Sequence, residues 1–581
     1  MTFSAASGST PFLAPNLGRF RSCLIAGPFL CPLVAGPSAN AWQLLASGLC
    51  AALLLLSARG GAVDRRLAAW LACCVAALAL SFSGFADLRF MACAALAGIG
   101  LSALAGAGKE DRVVSIPAAL AWGVLAAGVI NALVGLLQYG NLAGDLLPWI
   151  TSPTAGRAWG LLRQRNQFGT LISLALVAAL WFYAKRDSRR MRAGLVAAAV
   201  MLIAATAASG SRTGALQLAL IAVAAGVVAW KERRSTSDPI PARRLPPPLA
   251  LLAILPLYFA LNWLLPQLAA IGTSSKALTS AGALVQRLQP TALGNESRLT
   301  LWHNVLSLIA ERPLTGWGWG ELSYAHFMAV YPGPRFPVLL DNAHNLPLHL
   351  AVELGIPAAV LICGGFLWLV ISARPWRECD PNRLMAWGLV GVILVHSLLE
   401  YPLWYGPFQL VFGLCLGMLW PARASSDRAS PPSKKTKAWL PDGRKLSALA
   451  SIALLSFVVY AAWDYTRISQ IYLPRDERLP PWQDDTLAKV RDSWLFARQV
   501  DFAELTLTPV THENAARMHA LAERTLHFSP EPRVIVKLIE SAELSGREDE
   551  ARLIAERFRV AYPGAYAHWL RHNPGDRAPA P

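Results

Sequence analysis

Stretches of apolar residues long enough to cross a bilayer as helices recur in this chain from about residue 20 to residue 465, and nothing else restricts its fold so strongly. They lie near 22–36, 41–57, 67–84, 90–107, 113–138, 167–184, 193–208, 213–230, 247–268, 346–372, 384–399, 403–421 and 447–464, thirteen in all. Backbone polar groups in hydrocarbon must bond within their own segment, so the runs predict an all-α polytopic membrane protein. The first run is short and is interrupted by Pro28, Pro32 and Gly36. No small-x-small cleavage site with a polar start follows it, so it reads as a span and not as a signal peptide. Charged residues make up only 15% of the chain, whereas a soluble domain carries about 25%. Disorder, a coiled coil and a small disulfide scaffold are excluded by the same balance.

The net charge of +17 invites a nucleic-acid reading until the charges are sorted by connector. With the N-terminus inside, the inner connectors carry 27 Lys and Arg and the outer ones 10, although the outer ones are longer. The positive-inside rule therefore orients the chain N-in, and thirteen spans leave the C-terminal tail outside. The excess charge serves orientation, and no nucleic-acid partner is expected.

The expected organisation is a membrane core over 1–421, a Ser-, Pro- and Lys-rich inner linker over 422–446, a last span over 447–465 and an outer tail over 466–581. The largest outer loop of the core covers 269–345, and shorter outer segments cover 139–166 and 400–402. The tail has amphipathic helical patterning broken by turns containing Pro530, Pro532 and Gly546, similar to a tetratricopeptide repeat. All nine cysteines fall in spans or on the inner side, so no disulfide is expected in the outer loop or tail. No cysteine or histidine spacing suggests a metal site, and no cofactor is expected.

Candidate chemistry concentrates on the outer side. His303, His326, His344, His349 and His396 all lie in the outer loop or at the outer mouth of a span. His344, in DNAHNLPLHLAVELGIP, sits where the loop re-enters the membrane, and a neutral imidazole there can act as a base or bind an anion. His349, one helical turn on, could play the same part; the alternative for either is a helix cap or anchor. Arg212 opens a span in GSRTGAL, and Arg298 lies in the amphipathic ESRLTLWHNV; a membrane anchor and a surface residue are the alternatives. In GLLRQRNQFG, Arg163, Gln164, Arg165, Asn166 and Gln167 form a polar, basic helix start suited to an anion. In HSLLEYPLWYGPF, Tyr401 and Tyr405 fit the aromatic belt of a membrane interface, whereas Glu400 is costly at a membrane edge unless paired. The GWGWGELSY segment suits either close backbone packing or sugar stacking. Separated arginines that converge with a histidine on one face are what a diphosphate-bearing lipid needs, because guanidinium binds phosphate bidentately and stays charged.

The series RNQFGTLISLAL, GSRTGAL, SRLTLWHNVLSLIAERPLTGWGWGELSYAHF, DNAHNLPLHLAVELGIP and HSLLEYPLWYGPFQLVFG resembles the bacterial O-antigen ligase and polymerase superfamily, over roughly residues 20–460. Within it the chain looks most like the protein O-oligosaccharyltransferases of the PglL type, and HSLLEYPLWY is the most branch-specific stretch. The ligase pattern is met by His344, Asn345 and Gly355 and departs at Ala358. The resemblance implies a GT-C-like helical membrane glycosyltransferase of the bacterial inner membrane. Its donor would be a glycan on undecaprenyl pyrophosphate, and its site and tail would be periplasmic. His344 would be the essential histidine, Arg212 and Arg298 its arginines, Gln164 or Gln167 the glutamine, and Tyr401 or Tyr405 the tyrosine.

The expected activity is metal-independent, inverting transfer of an oligosaccharide en bloc to Ser or Thr hydroxyls of exported proteins such as pilins. His344 would serve as base or orienter, with Arg212, Arg298 and Arg165 on the diphosphate. The rivals are an O-antigen ligase acting on lipid A-core, a polysaccharide polymerase, and, in another class, a non-enzymatic lipid-glycan transporter or a scaffold acting through the tail. Polar residues deep in the runs, Asn131, Gln138, Gln217 and Asn262, are scattered and the ionisable ones sit at the rim, which favours surface chemistry over a transport pathway.

Overall fold

The structure is a computed structural model that describes residues 13–58, 61–82, 84–108, 115–146, 149–150, 156–185, 188–234, 245–272, 298–422 and 443–572. The described residues are helical, with isolated bridges in place of strands, which makes the chain an all-α membrane protein. Eight of the expected spans form helices long and apolar enough to cross a membrane: Ala86–Gly106, Ile116–Tyr139, Arg165–Lys185, Arg189–Ser209, Arg212–Arg234, Pro248–Leu268, Ile356–Arg377 and Lys445–Tyr472. At the other five expected positions the helices are shorter: Leu13–Ala26, Ala41–Ser57, Arg65–Ala79, Pro381–Ser397 and Gly406–Leu419. The linker expected over 422–446 and the first part of the loop expected over 269–345 fall largely outside the described residues.

The run expected over 346–372 is divided. A short helix, Leu346–Leu354, ends at Gly355, whose φ of 86° is a conformation that L side chains rarely adopt, and the long apolar helix starts at Ile356. The glycine–tryptophan turn holds that break in place. Trp317 and Gly318 donate backbone hydrogen bonds to the carbonyls of Val352 and Glu353, and Ile356 donates to Pro313. A Cβ on Gly316 would collide with the backbone of Glu353, so this segment serves close backbone packing.

Arg165–Lys185 is the central helix. Its apolar stretch is 89% buried, against 11% for Pro248–Leu268 and 17% for Lys445–Tyr472 on the periphery. Peripheral helices instead expose large apolar side chains such as Trp263, Leu249 and Val459, as a lipid-facing surface requires. Ala86–Gly106 and Gly406–Leu419 meet backbone to backbone: a Cβ on Gly417 would strike the Ala103 carbonyl, and one on Gly106 the Leu414 carbonyl. Small residues permit this approach where burial in lipid gives no hydrophobic drive for helix association.

The helices Ala497–Leu507, Ala515–Phe528, Pro532–Leu544, Glu548–Ala561 and Pro563–His572 share an apolar core of Met518, Leu521, Ile535, Leu538, Ile539 and Phe558. That core also takes in Phe327, from the loop helix Leu322–Met328. Two further contacts fix the tail to the rest of the chain. Arg498 pairs with Asp87 at 2.7 Å with both side chains largely buried, and His527 lies 2.7 Å from Glu321 and stacks on Tyr324.

Candidate functional site

Glu400 lies in the turn after the helix Pro381–Ser397 and gathers residues from three other parts of the chain. Its Oε1 accepts from Asn166 Nδ2 at 3.0 Å and from the Arg298 guanidinium, and its Oε2 lies 2.8 Å from His344 Nδ1. Asn166 in turn accepts from Ser211 Oγ at 2.7 Å, which ties in the residue before Arg212. Asn166, Arg212 and Arg298 all stand at helix starts, so positive dipole ends converge on this end of the bundle. Burial pushes the Glu400 carboxyl up, but the His344 hydrogen bond and the charges of His344 and Arg298 outweigh it and hold the group below the usual carboxylate value.

His344 has φ 50°, the left-handed region that is uncommon for a non-glycine residue. Asn342 supports it by accepting from the His344 backbone N–H at 2.9 Å, and the next residue, Asn345, caps the helix Leu346–Leu354 by accepting from Leu348 N at 3.1 Å. A carboxylate only accepts hydrogen bonds, so Glu400 fixes the proton on Nδ1 and leaves the lone pair on Nε2. The His344 ring meets Tyr401 edge to face, 5.2 Å between centroids, and Tyr401 stacks on Tyr405 at 6.0 Å. Burial, reinforced by the neighbouring Tyr405, raises the Tyr401 phenol, so it stands as a neutral hydroxyl. A narrow cleft between these groups is lined by Gln164, Gln167, His396, Glu400, Tyr401, Pro402 and Tyr405.

The structure thus brings Asn166, Gln167, Arg298, His344, Glu400, Tyr401 and Tyr405 together. Gln164 faces the same cleft but also caps its helix, its Oε1 accepting from Gln167 N at 2.7 Å. Arg165 opens the central helix, and Arg212 follows Ser211. Two expected site residues go elsewhere. Arg163 takes φ 58° after a 3-10 turn and donates to the carbonyls of Pro32 at 2.8 Å and Ala39 at 3.1 Å, so it anchors the 31–39 loop. His349 is buried behind His344, 3.5 Å from Glu353 and against Trp319 and Trp404, so it anchors its helix. Sequence reasoning passed over three contributors: Asn342, which supports His344, and the buried pair Thr170 and Gln217 beneath His396. The one available signal was the spacing of His396 four residues before Glu400, whose N–H donates to the His396 carbonyl at 2.8 Å.

Two family models match the chain. One, described as O-Antigen ligase, covers residues 197–363, which include Arg212, Arg298 and His344. The other, described as virulence factor membrane-bound polymerase, C-terminal, covers 384–574, which include Glu400, Tyr401 and Tyr405. A general O-oligosaccharyltransferase of Acinetobacter baylyi is 25% identical over 305 residues, 51% of this chain and 49% of that protein. A ComP-specific O-oligosaccharyltransferase of the same organism is 26% identical over 127 residues, 21% of this chain and 22% of that protein. The chain therefore spans about half the length of the first relative and less of the second. These matches bear out the resemblance to the O-antigen ligase and polymerase superfamily and, within it, to the protein O-oligosaccharyltransferases.

Proposed function

We propose that the chain transfers an oligosaccharide en bloc from undecaprenyl pyrophosphate to Ser or Thr hydroxyls of exported proteins, at the periplasmic face of the bacterial inner membrane. The observation that carries the reading is the Glu400 group, which holds an imidazole in one tautomer and an arginine beside it at the mouth of a helical bundle. The names of the two Acinetobacter relatives support the same chemistry.

In this reading the acceptor oxygen attacks the anomeric carbon of the donor as the bond from that carbon to the phosphate oxygen breaks. The configuration inverts and undecaprenyl pyrophosphate departs with the electron pair. His344 Nε2 takes the hydroxyl proton, while Nδ1–H stays on Glu400, whose negative charge steadies the imidazolium. Arg212, with Arg165, meets the diphosphate at the converging helix starts, and Arg298 both holds Glu400 and offers the rest of its fork to the phosphate. Residues 1–421 with 447–465 form the membrane enzyme, 422–446 is an inner linker, and 466–581 is a periplasmic tail.

Purified protein incubated with a lipid-linked glycan and three acceptors tests the proposal: a Ser-containing exported protein, lipid A-core, and a second lipid-linked glycan. A mass gain on the protein is expected. Gain on lipid A-core or on glycan alone would move the chain to the ligase or polymerase side of its relatives, and no gain on any acceptor would end the enzyme reading.

A further inference from the structure

We propose that His396 is a substrate-contacting residue, which together with Gln167 seats a substrate hydroxyl in the floor of the cleft. The inference rests on the glycan-transfer reading and adds the groups that receive a hydroxyl. His396 Nε2 and Gln167 Oε1 are both buried and line the same cleft beside Glu400, Tyr401 and Tyr405. Neither atom has a hydrogen-bond partner among the described residues. Buried polar atoms in folded proteins are nearly always paired, by protein, ordered water or ligand, so two orphans in one cleft lining mark a place where an exchangeable water or a ligand hydroxyl pairs them.

The hydrogen-bond chain beneath His396 sets the chemistry. Gln217 Nε2 donates to the Val392 carbonyl at 3.0 Å and to Thr170 Oγ1 at 3.0 Å, which uses both amide hydrogens. Thr170 then gives its own hydrogen to His396 Nδ1 at 2.8 Å, so the imidazole proton sits on Nε2 and faces the cleft. The other place for that hydrogen is Gln217 Oε1 at 3.2 Å, a longer contact than the 2.8 Å to the imidazole nitrogen. Gln167 lines the cleft beside Tyr405, with its Oε1 unpaired. The cleft floor therefore offers one donor and one acceptor. A hydroxyl satisfies both at once, whereas an ionised phosphate oxygen only accepts and an ammonium only donates. Thr170 and Gln217 act through His396 and are positioning residues. The hydroxyl belongs either to a Ser or Thr side chain of the acceptor or to a sugar of the donor glycan.

Affinity measurements on the full-length purified protein separate these cases. A Ser-containing acceptor peptide, the same peptide with Ala in its place, and the undecaprenyl-pyrophosphate-linked glycan are titrated into wild type, His396→Phe, Thr170→Val and Thr170→Ser. An acceptor hydroxyl in the cleft predicts a Ser-over-Ala preference of roughly tenfold in wild type, the worth of a well-made hydrogen bond. That preference should collapse in His396→Phe, weaken in Thr170→Val and return in Thr170→Ser, with donor affinity unchanged. A sugar hydroxyl predicts the opposite split: roughly tenfold weaker donor binding in His396→Phe and an intact peptide ratio. Unchanged values in both arms would overturn the inference, and Thr170→Val supplies the answer should His396→Phe not fold. Affinity needs no turnover, so a protein that binds but never transfers would defeat the transfer reading while these ratios still decide this one.

Discussion

His344 and Glu400, 56 residues apart in sequence, are joined by a 2.8 Å contact between Nδ1 and Oε2. The pair defines the roles to be tested first. His344→Ala should lower the rate of glycan transfer by about 10²-fold or more, the usual worth of a positioned general base. Glu400→Gln should approach the same loss, because an amide does not enforce the tautomer or steady a positive ring. Transfer rates at saturating donor would check both, and a Glu400→Gln protein with wild-type turnover would leave His344 without its orienter.

Arg298 tests whether fork geometry matters as well as charge. Arg298→Lys keeps the charge and loses the planar pair of donors, so transfer should fall while folding persists. Steady-state kinetics with the lipid-linked donor would read this, and unchanged kinetics would show that the charge on Glu400 suffices and the fork plays no part in donor binding.

Acid should dismantle the Glu400 group at a lower pH than an ordinary carboxylate would suggest. Its folded value is depressed, so its contribution is complete above the unfolded carboxylate value of about 4.3 and is lost as pH falls through the lower folded one. Activity assayed at pH 7 after brief incubation near pH 4, where an ordinary carboxyl is already largely protonated, should therefore still be recovered.

The loop that precedes the helix Leu346–Leu354 carries a second pH dependence with a different origin. Burial, with the adjacent Arg335, lowers His326 to about 3, and its ring bonds the Tyr331 hydroxyl at 2.8 Å and the Phe336 carbonyl at 3.0 Å. The unfolded loop takes up a proton from about pH 6.5 downward and the folded one does not. Stability should therefore decline below that pH, by up to about 1.4 kcal/mol per pH unit until the folded value is reached. Melting curves of wild type and His326→Gln between pH 7 and pH 5 should show this slope in wild type and a flatter one in the variant.

The buried pair of Asp87 and Arg498 fastens the tail to the helix Ala86–Gly106. Removing one partner strands the other charge, so Arg498→Ala should cost about 3–5 kcal/mol of tail docking. Limited proteolysis should then cut between residues 473 and 497 faster than in wild type. In the membrane part, Gly417→Ala pushes a methyl into the Ala103 carbonyl and should destabilise by about 1–3 kcal/mol in thermal melts.

Much of this arrangement was legible in the residues themselves. The apolar runs announced the helices, and Glu400 could be flagged because an acid at a membrane edge needs a partner. The identity of the partners was not legible, since Asn166, Arg298 and His344 approach Glu400 across 234, 102 and 56 residues and no local period encodes that. Arg163 and Arg165 are two residues apart and read alike, yet a left-handed backbone at Arg163 turns it toward another loop. The division at Gly355 was hidden because hydrophobicity continues across it, and only the positive φ interrupts the helix.

Phe327 belongs by sequence to the loop and by packing to the tail. The loop helix is thus a cork seated in the tail's hydrophobic centre, and neither piece has a complete interior without the other. Chimeras that exchange tails between relatives should misassemble unless Leu322–Met328 travels with them, so the segment and the tail have to be exchanged as one unit.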